Sequence, residues 1–245
     1  LTKTALVTGA SRGIGNAIAH RLAAAGYRLT VSARTEPGLL TAAEELRAQH
    51  GVDVHPVVAN LAEPEAVQRL AAEHSARYER LDLLVPCGGV GTAGPIAEVP
   101  LKHYDLTLNV NLRSVFLLVQ ATLPLLRKTS AASPENGAKI VALSSITGVA
   151  AEPGMSAYGA SKAALISLCE TITLDEHARG VTATAISPGY VDTDMASYAH
   201  DQVDSASMIR TGDIAEMVLA VSRLSANATV PNIVITRPGT AIWRP

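Results

Sequence analysis

Tyr158 and Lys162 lie four residues apart in a segment whose apolar residues recur at helical spacing, so one face of one helix carries both. An ammonium in that position stabilises a phenolate and lowers a phenol pKa that starts near 10, making the tyrosine a usable general acid or base. Alone, the pair is a weak signal. It gains force from Ser145, thirteen residues upstream of the tyrosine at the end of a strand-like run, and from Asn111 in Asn109-Val110-Asn111. A second cluster, Thr8-Gly9-Ala10-Ser11-Arg12-Gly13-Ile14-Gly15, follows a β-branched run and opens an amphipathic helix. Glycines there let a backbone approach a pyrophosphate closely, and the amides of the helix N-terminus face its negative charge. The spacing Gly9, Gly13, Gly15 differs from the common dinucleotide fingerprint, whose first two glycines are two apart.

The elements that must hold these residues follow from periodicity. Strands are predicted at Thr4–Thr8, Arg28–Ala33, Asp53–Val58, Leu81–Val85, Lys139–Ser144, Val181–Ile186 and Asn232–Thr236. Helices are predicted at Gly13–Ala25, Pro37–His50, Glu63–Tyr78, Leu101–Arg127, Gly154–His177 and Gly212–Leu224. Such alternation implies an α/β fold, a doubly wound parallel sheet of about seven strands with helices on both faces. Residues 1–245 read as a single domain, since no linker, internal repeat or low-complexity block interrupts them. Thr129–Gly137 reads as a surface loop, and residues 190–211 as a lid or substrate loop following a strand end.

Composition narrows the partners. Apolar residues make up 48% and aromatics only 3%, which favours aliphatic helix-on-sheet packing. The net charge of −2, without a long basic run, lacks the footprint of a nucleic-acid binder. Val115–Leu126, the most apolar stretch, falls short of the roughly 18 residues a membrane span requires, so no membrane partner is expected. Two widely spaced cysteines, Cys87 and Cys169, in a chain without a secretory leader are expected to stay reduced, implying a cytoplasmic protein. The seven histidines show no ligand spacing, so no metal site is expected. His177 near a helix end reads as a C-terminal charge partner, and Trp243 in the tail as exposed or packed between subunits.

From Thr4 to about Thr193 the sequence resembles the short-chain dehydrogenase/reductase family, in its compact branch. Thr8–Gly15 is similar to its Thr-Gly-x-x-x-Gly-x-Gly loop, Ser145, Tyr158 and Lys162 to its catalytic serine and Tyr-x-x-x-Lys, and Asn111 to its helix asparagine. Ser187-Pro188-Gly189 with Thr193 resembles the family's Pro-Gly segment and carboxamide-binding threonine. The resemblance implies a Rossmann-like fold and hydride transfer between a nicotinamide and a ketone or secondary alcohol. Tyr158 would then pass the proton and Ser145 would orient the substrate oxygen. Lys162 would hold ribose hydroxyls, and Asn111 would position a water linking Lys162 to solvent. The implied cofactor contacts are Thr8, Gly9, Ser11, Arg12, Gly13, Ile14, Gly15, Ala33, Arg34, Asn60, Leu61, Gly88, Gly89, Tyr158, Lys162, Pro188, Gly189, Val191 and Thr193. Homo-oligomers, tetramers or dimers, packed through long helices are also implied.

At the end of the second strand, where an acidic residue would bind a ribose 2′-hydroxyl, stand Ala33 and Arg34. With Arg12 they predict a site for a 2′-phosphate, hence NADP(H). Two segments depart from the family pattern: Asn60-Leu61 replaces an aspartate, and Pro86-Cys87-Gly88-Gly89 replaces Asn-Asn-Ala-Gly. The second change motivates a competing reading, a catalytically silent NADP(H)-binding scaffold or sensor. Cys87 is read as an inert thiol against a redox alternative, and Cys169 as packing. Pro231–Pro238 resembles members acting on small hydroxy acids, which ranks small carbonyl compounds and β-ketoacyl groups level. Asp192, Asp194, Asp201 and Asp204 against a single Arg210 disfavour a strongly anionic substrate, while Met195, Tyr198, Val203, Met208 and Ile209 supply apolar lid surface. Ile146–Met155 would form the opposite wall, small and apolar apart from Glu152.

Overall fold

The computed structural model describes residues 2–199 (side chains to 196) and 203–239. Its strands are β1 (Thr4–Thr8), β2 (Arg28–Ala33), β3 (Val54–Val58), β4 (Leu83–Val85), β5 (Ala138–Leu143), β6 (Val181–Pro188) and β7 (Asn232–Ile235). They form one parallel sheet in the order β3-β2-β1-β4-β5-β6-β7. The helices are α1 (Gly13–Ala24), α2 (Glu36–His50), α3 (Pro64–Tyr78), α4 (Leu101–Leu108), α5 (Ser114–Ala131), α6 (Ser156–Glu176) and α7 (Thr211–Ser222). Because the chain winds outward from β1 to β3 and then returns to β4 on the other side, the strand order reverses between β1 and β4. A crevice opens at such a reversal, beyond the carboxyl ends of the strands.

Alternation along the central strands divides the core. Ala5 and Val7 face a layer with Ile18 and Leu22 of α1, Leu39 of α2 and Ile214 and Val218 of α7. Leu6 and Leu84 face the opposite layer, with Val67 and Leu70 of α3, Leu118 and Leu126 of α5 and Leu165 of α6. Every residue of β1, β5 and β6 is buried, as expected for parallel strands covered on both sides. Burying each such aliphatic side chain contributes on the order of 1.5–3 kcal/mol, so the two layers set which residues can leave the sheet as strand ends.

Several boundaries differ from the periodicity reading. The expected helix Leu101–Arg127 is α4 and α5 joined by a π-helical turn, Asn109–Arg113, and α5 runs on to Ala131, taking the first residues of the expected loop Thr129–Gly137. Thr129 explains the extension: it is buried, and its hydroxyl accepts the Leu81 amide at 2.8 Å, so helix is retained by a tertiary contact. β4 is the shorter Leu83–Val85; just before it the Asp82 side chain accepts the Thr4 amide at 2.8 Å while the Asp82 amide donates to Thr4 O at 3.1 Å. Leu101–Ala131 spans 31 residues with mean hydropathy 1.3 in its most apolar stretch, long and apolar enough to cross a membrane by those measures. The helix is longer than the apolar stretch Val115–Leu126 because it continues through the polar residues on either side. Val115, Leu118, Val119 and Leu126 of this helix are buried in the core.

Candidate active site

The first strand-to-helix turn is built by close approach. Gly9 has φ +68, and a Cβ there would lie 2.8 Å from Gly88 Cα; a Cβ on Gly15 would lie 2.3 Å from the Gly9 carbonyl oxygen. Backbone packed this tightly admits only glycine, and it leaves the N-terminus of α1 open toward the crevice. Thr8 joins the two strands at the reversal, its hydroxyl accepting the amides of Cys87 and Gly88, each at 3.0 Å. These two bonds tie the end of β1 to the segment after β4.

Lys162 comes off α6 and is 5% exposed. Its Nζ donates to the Leu143 carbonyl at 2.7 Å and stands 5.6 Å from the centroid of the Tyr158 ring. Burial lowers the amine from its ordinary range to about 8. A Cβ on Gly89 would lie 3.6 Å from this nitrogen and 3.3 Å from Asn111 Oδ1. The Cys87 thiol, also near Lys162, is pushed up to about 12 by burial despite that amine, which is consistent with an unreactive thiol. Cys169 packs in the second core layer.

Ser145 follows β5. Its Oγ accepts the Thr147 amide at 3.2 Å and the Thr147 hydroxyl at 3.0 Å, so its own proton is left to donate outward. Asn111 lies in the π-helical turn: Oδ1 accepts Val90 N at 2.9 Å, while Nδ2 donates to Val90 O at 2.9 Å and to Ser161 Oγ at 3.1 Å. The side-chain amide therefore holds the loop after β4 onto the helices. Ser161 in turn donates to the Tyr158 carbonyl at 2.7 Å, and Ser144 donates to the Lys162 carbonyl at 2.8 Å. Thr147, Ser144 and Ser161 were not singled out from the sequence, although Ser144 adjoins Ser145 and Ser161 adjoins Lys162.

The other sequence-predicted positions distribute along the same edge. Arg34 is exposed just past β2 and makes no ion pair among the described residues, whereas Arg12 pairs with Asp194 at 3.1 Å. Ser11 faces α2, where a Cβ on Gly38 would be 3.7 Å from its own, and Ile14 packs into the first core layer beside buried Ala33. The Asn60 side chain is spent locally, donating to Glu63 at 2.8 Å and accepting from Ala62 N at 3.2 Å. Leu61 Cδ1 fills the space beside Gly88. Pro188 ends β6, the Gly189 amide donates to Ile235 O at 2.9 Å, and Thr193 Cγ2 stands 3.4 Å from where a Gly13 Cβ would be.

The 190–211 segment contains two 3₁₀ turns, Asp194–Ala199 and Ser205–Ser207, closed at the base by the bridge Val191–Ile209. Met208 and Ile209 are buried, Met195 is half exposed, and Val203 packs against Ala196 and Met208. Arg210 pairs with Asp213 at 2.7 Å, and Asp204 caps a 3₁₀ turn by accepting Ala206 N. The side chain of Tyr198 and residues Asp201 and Trp243 lie outside the described residues. His177 caps α6, its Nδ1 on the carbonyls of Thr173 and Leu174 at 3.2 and 3.0 Å. Among the described residues no group of three or more His, Cys, Asp or Glu could hold a metal ion.

Sheet order, glycine-walled turn and strand-end crevice define a doubly wound α/β protein of the Rossmann type. The family model described as short chain dehydrogenase matches residues 3–204, and the chain belongs to that family of oxidoreductases. It is 34% identical over 205 residues to the 3-oxoacyl-acyl-carrier-protein reductase FabG of Staphylococcus aureus, covering 83% of this chain and 80% of the relative. A short chain dehydrogenase of Burkholderia cenocepacia in complex with NADP superposes with TM-score 0.85 at 33% identity, over 98% of this chain and 97% of that one. An alcohol dehydrogenase from the archaeon Thermococcus sibiricus, complexed with 5-hydroxy-NADP, superposes with TM-score 0.86 at 26% identity, over 97% and 99%.

Proposed function

We propose that this protein is an NADP(H)-dependent oxidoreductase that interconverts a ketone and a secondary alcohol, with Tyr158 as general acid and base. The observation that carries the reading is Lys162, a buried amine bound to the Leu143 carbonyl at 2.7 Å beneath the Tyr158 ring, beside a glycine wall at Gly89. Nothing in an inert core calls for a buried cation next to a phenol and a backbone cradle. The cradle fits a dinucleotide: Gly9, Gly13 and Gly15 would take the pyrophosphate on the α1 N-terminus, Lys162 the nicotinamide ribose, and Arg34 with Arg12 the 2′-phosphate. NADP complexes of relatives at 33% and 26% identity support that choice.

When bound, the cofactor supplies or accepts a hydride at the carbonyl carbon. Ser145 donates its unspent proton to the carbonyl oxygen and holds it toward Tyr158, which gives up its phenolic proton as charge develops there. Lys162, with two N–H groups left after Leu143, steadies the resulting phenolate. Asn111 keeps the loop carrying Gly88 and Gly89 against this set. Small carbonyl compounds remain favoured over strongly anionic ones, and β-ketoacyl reduction is kept in view by the FabG relatives. The residues act as one domain with the 190–211 segment as substrate lid, in a cytoplasmic homo-oligomer. Exposed Leu101, Tyr104, Phe116 and Leu174 on the long helices α4, α5 and α6 support the assembly.

The test is to titrate the protein with NADPH and NADH, then follow NADPH oxidation against a panel of carbonyl compounds. Tyr158→Phe should keep NADPH affinity within a few-fold and lose turnover by about 10²–10⁴. Tight NADPH binding with no turnover on any carbonyl would replace this reading by the silent scaffold or sensor.

A further inference from the structure

A side-chain hydrogen bond joins the two chain segments that leave β5 and β6 at their carboxyl ends. Tyr190 Oη donates to Glu152 Oε1 at 3.1 Å. Tyr190 follows Gly189 at the end of β6 and packs on the lid residues Ala196 and Met208. Glu152 lies seven residues after Ser145, in the turn closed by Met155 N donating to Glu152 O at 3.2 Å, immediately before the helix that carries Tyr158. Adjoining residues fix that turn from behind, since Gly94 N donates to Gly154 O at 2.9 Å and holds it to the loop after β4.

Glu152 Oε2, the other oxygen, is buried and has no hydrogen-bond partner among the described residues. An acidic oxygen left without a donor costs free energy, because burial removes water that nothing replaces. Among the described residues Glu152 makes no ion pair: Arg12 is held by Asp194, and Arg210 by Asp213. Of the neighbouring hydroxyls, that of Tyr190 is spent on Oε1, and the Ser145 proton is the one assigned to the substrate oxygen. The missing donor belongs on whatever enters between the two segments.

Building on the ketone-reductase reading, we propose that Glu152, oriented by Tyr190, is a specificity residue that selects carbonyl substrates bearing a hydroxyl or ammonium donor near the reacting carbon and rejects those bearing a carboxylate there. A donor on the substrate satisfies Oε2, an alkyl group leaves it unpaired, and a carboxylate adds like-charge repulsion. Sites built around a buried polar group discriminate by this kind of asymmetry. Tyr190 is the positioning residue: its hydroxyl fixes one carboxyl oxygen and leaves the other without a donor.

The test uses four methyl ketones of matched size with NADPH: 4-amino-2-butanone, 4-hydroxy-2-butanone, 2-pentanone and acetoacetate. In the wild-type protein kcat/KM for the amino and hydroxy ketones should exceed that for 2-pentanone by about tenfold or more, with acetoacetate about tenfold or more below it. Glu152→Gln, which keeps size and hydrogen bonding, should compress the amino-ketone to acetoacetate ratio at least tenfold, and Tyr190→Phe should compress it less. A wild-type ratio near one, or a ratio that Glu152→Gln leaves unchanged at an unaltered melting temperature, overturns the proposal. Calorimetric binding of 4-amino-2-butanol and 3-hydroxybutyrate to the NADP-saturated protein reads the same preference without turnover. If no ketone is reduced, the ketone-reductase reading falls, and this binding comparison alone decides the role of Glu152.

Discussion

Lys162 and Leu143 are joined by a 2.7 Å hydrogen bond from the side-chain amine to the last carbonyl of β5, so the sheet itself holds the charge-bearing end of α6. This bond fixes a buried amine at a distance from bulk water, and burial is what brings its ionisation down to about 8.

Lys162 is therefore expected to be half ionised near pH 8, measurable by NMR of lysines labelled at the ε carbon, with the signal assigned through its loss in Lys162→Met. Because its folded pKa lies below the ordinary value of 10.5, the folded state carries a penalty that is complete below pH 8 and gone above 10.5. Lys162→Met should accordingly gain stability relative to wild type at pH 7 while losing activity, and the gain should shrink toward pH 10. A midpoint at or above 10 would contradict the burial argument.

Thr147 donates both its amide and its hydroxyl to Ser145 Oγ. Thr147→Val removes the second bond and lets the serine rotate, so kcat should fall by about tenfold, against roughly a hundredfold for Ser145→Ala. A Thr147→Val enzyme with unchanged kcat would show that Ser145 is held by its backbone alone.

Arg34 and Arg12 differ in their partners, and their mutants should differ accordingly. Arg34→Ala should weaken NADPH by about 10- to 100-fold and leave NADH nearly unaffected, as loss of a charged hydrogen bond to a 2′-phosphate would. Arg12 is shared with Asp194, both more than three-quarters exposed, so Asp194→Asn should tighten NADPH by at most about fivefold. Equal losses for NADH and NADPH in Arg34→Ala would remove the basis for NADP preference.

His74, fully buried, has its ionisation lowered to about 4 by burial. Its Nε2 donates to Arg80 O at 2.9 Å, so Nδ1 accepts the Thr30 hydroxyl at 2.8 Å, and the ring is neutral. The unfolded chain takes up a proton near 6.5 that the folded chain refuses until about 4, so stability falls as pH drops through that window. Urea unfolding should show about 2 kcal/mol lost between pH 7 and 5 that is absent in His74→Gln. Parallel slopes for the two proteins would exclude His74 as the source.

Much of this protein was legible from local pattern. Period-two and period-3.6 spacing located all seven strands and the helices of an α/β sheet, because the central strands are buried on both faces and each helix buries one stripe. The glycine turn and the Tyr158–Lys162 pair were equally readable, since backbone approach and one helical turn depend only on near neighbours in sequence.

Tertiary structure alone decided the rest. That Asn111 would bond Val90 and Ser161 depended on the π-helical turn and on two segments brought together from 21 and 50 residues away. Arg12 found Asp194 across 182 residues, and Glu152 found Tyr190 across 38. Spacing in a chain sets which side chains share a face. It carries no information about which distant hydroxyl, carbonyl or carboxylate will be the one group within hydrogen-bond reach, because that choice is made by how sheet and helices pack, after the local pattern has done its part.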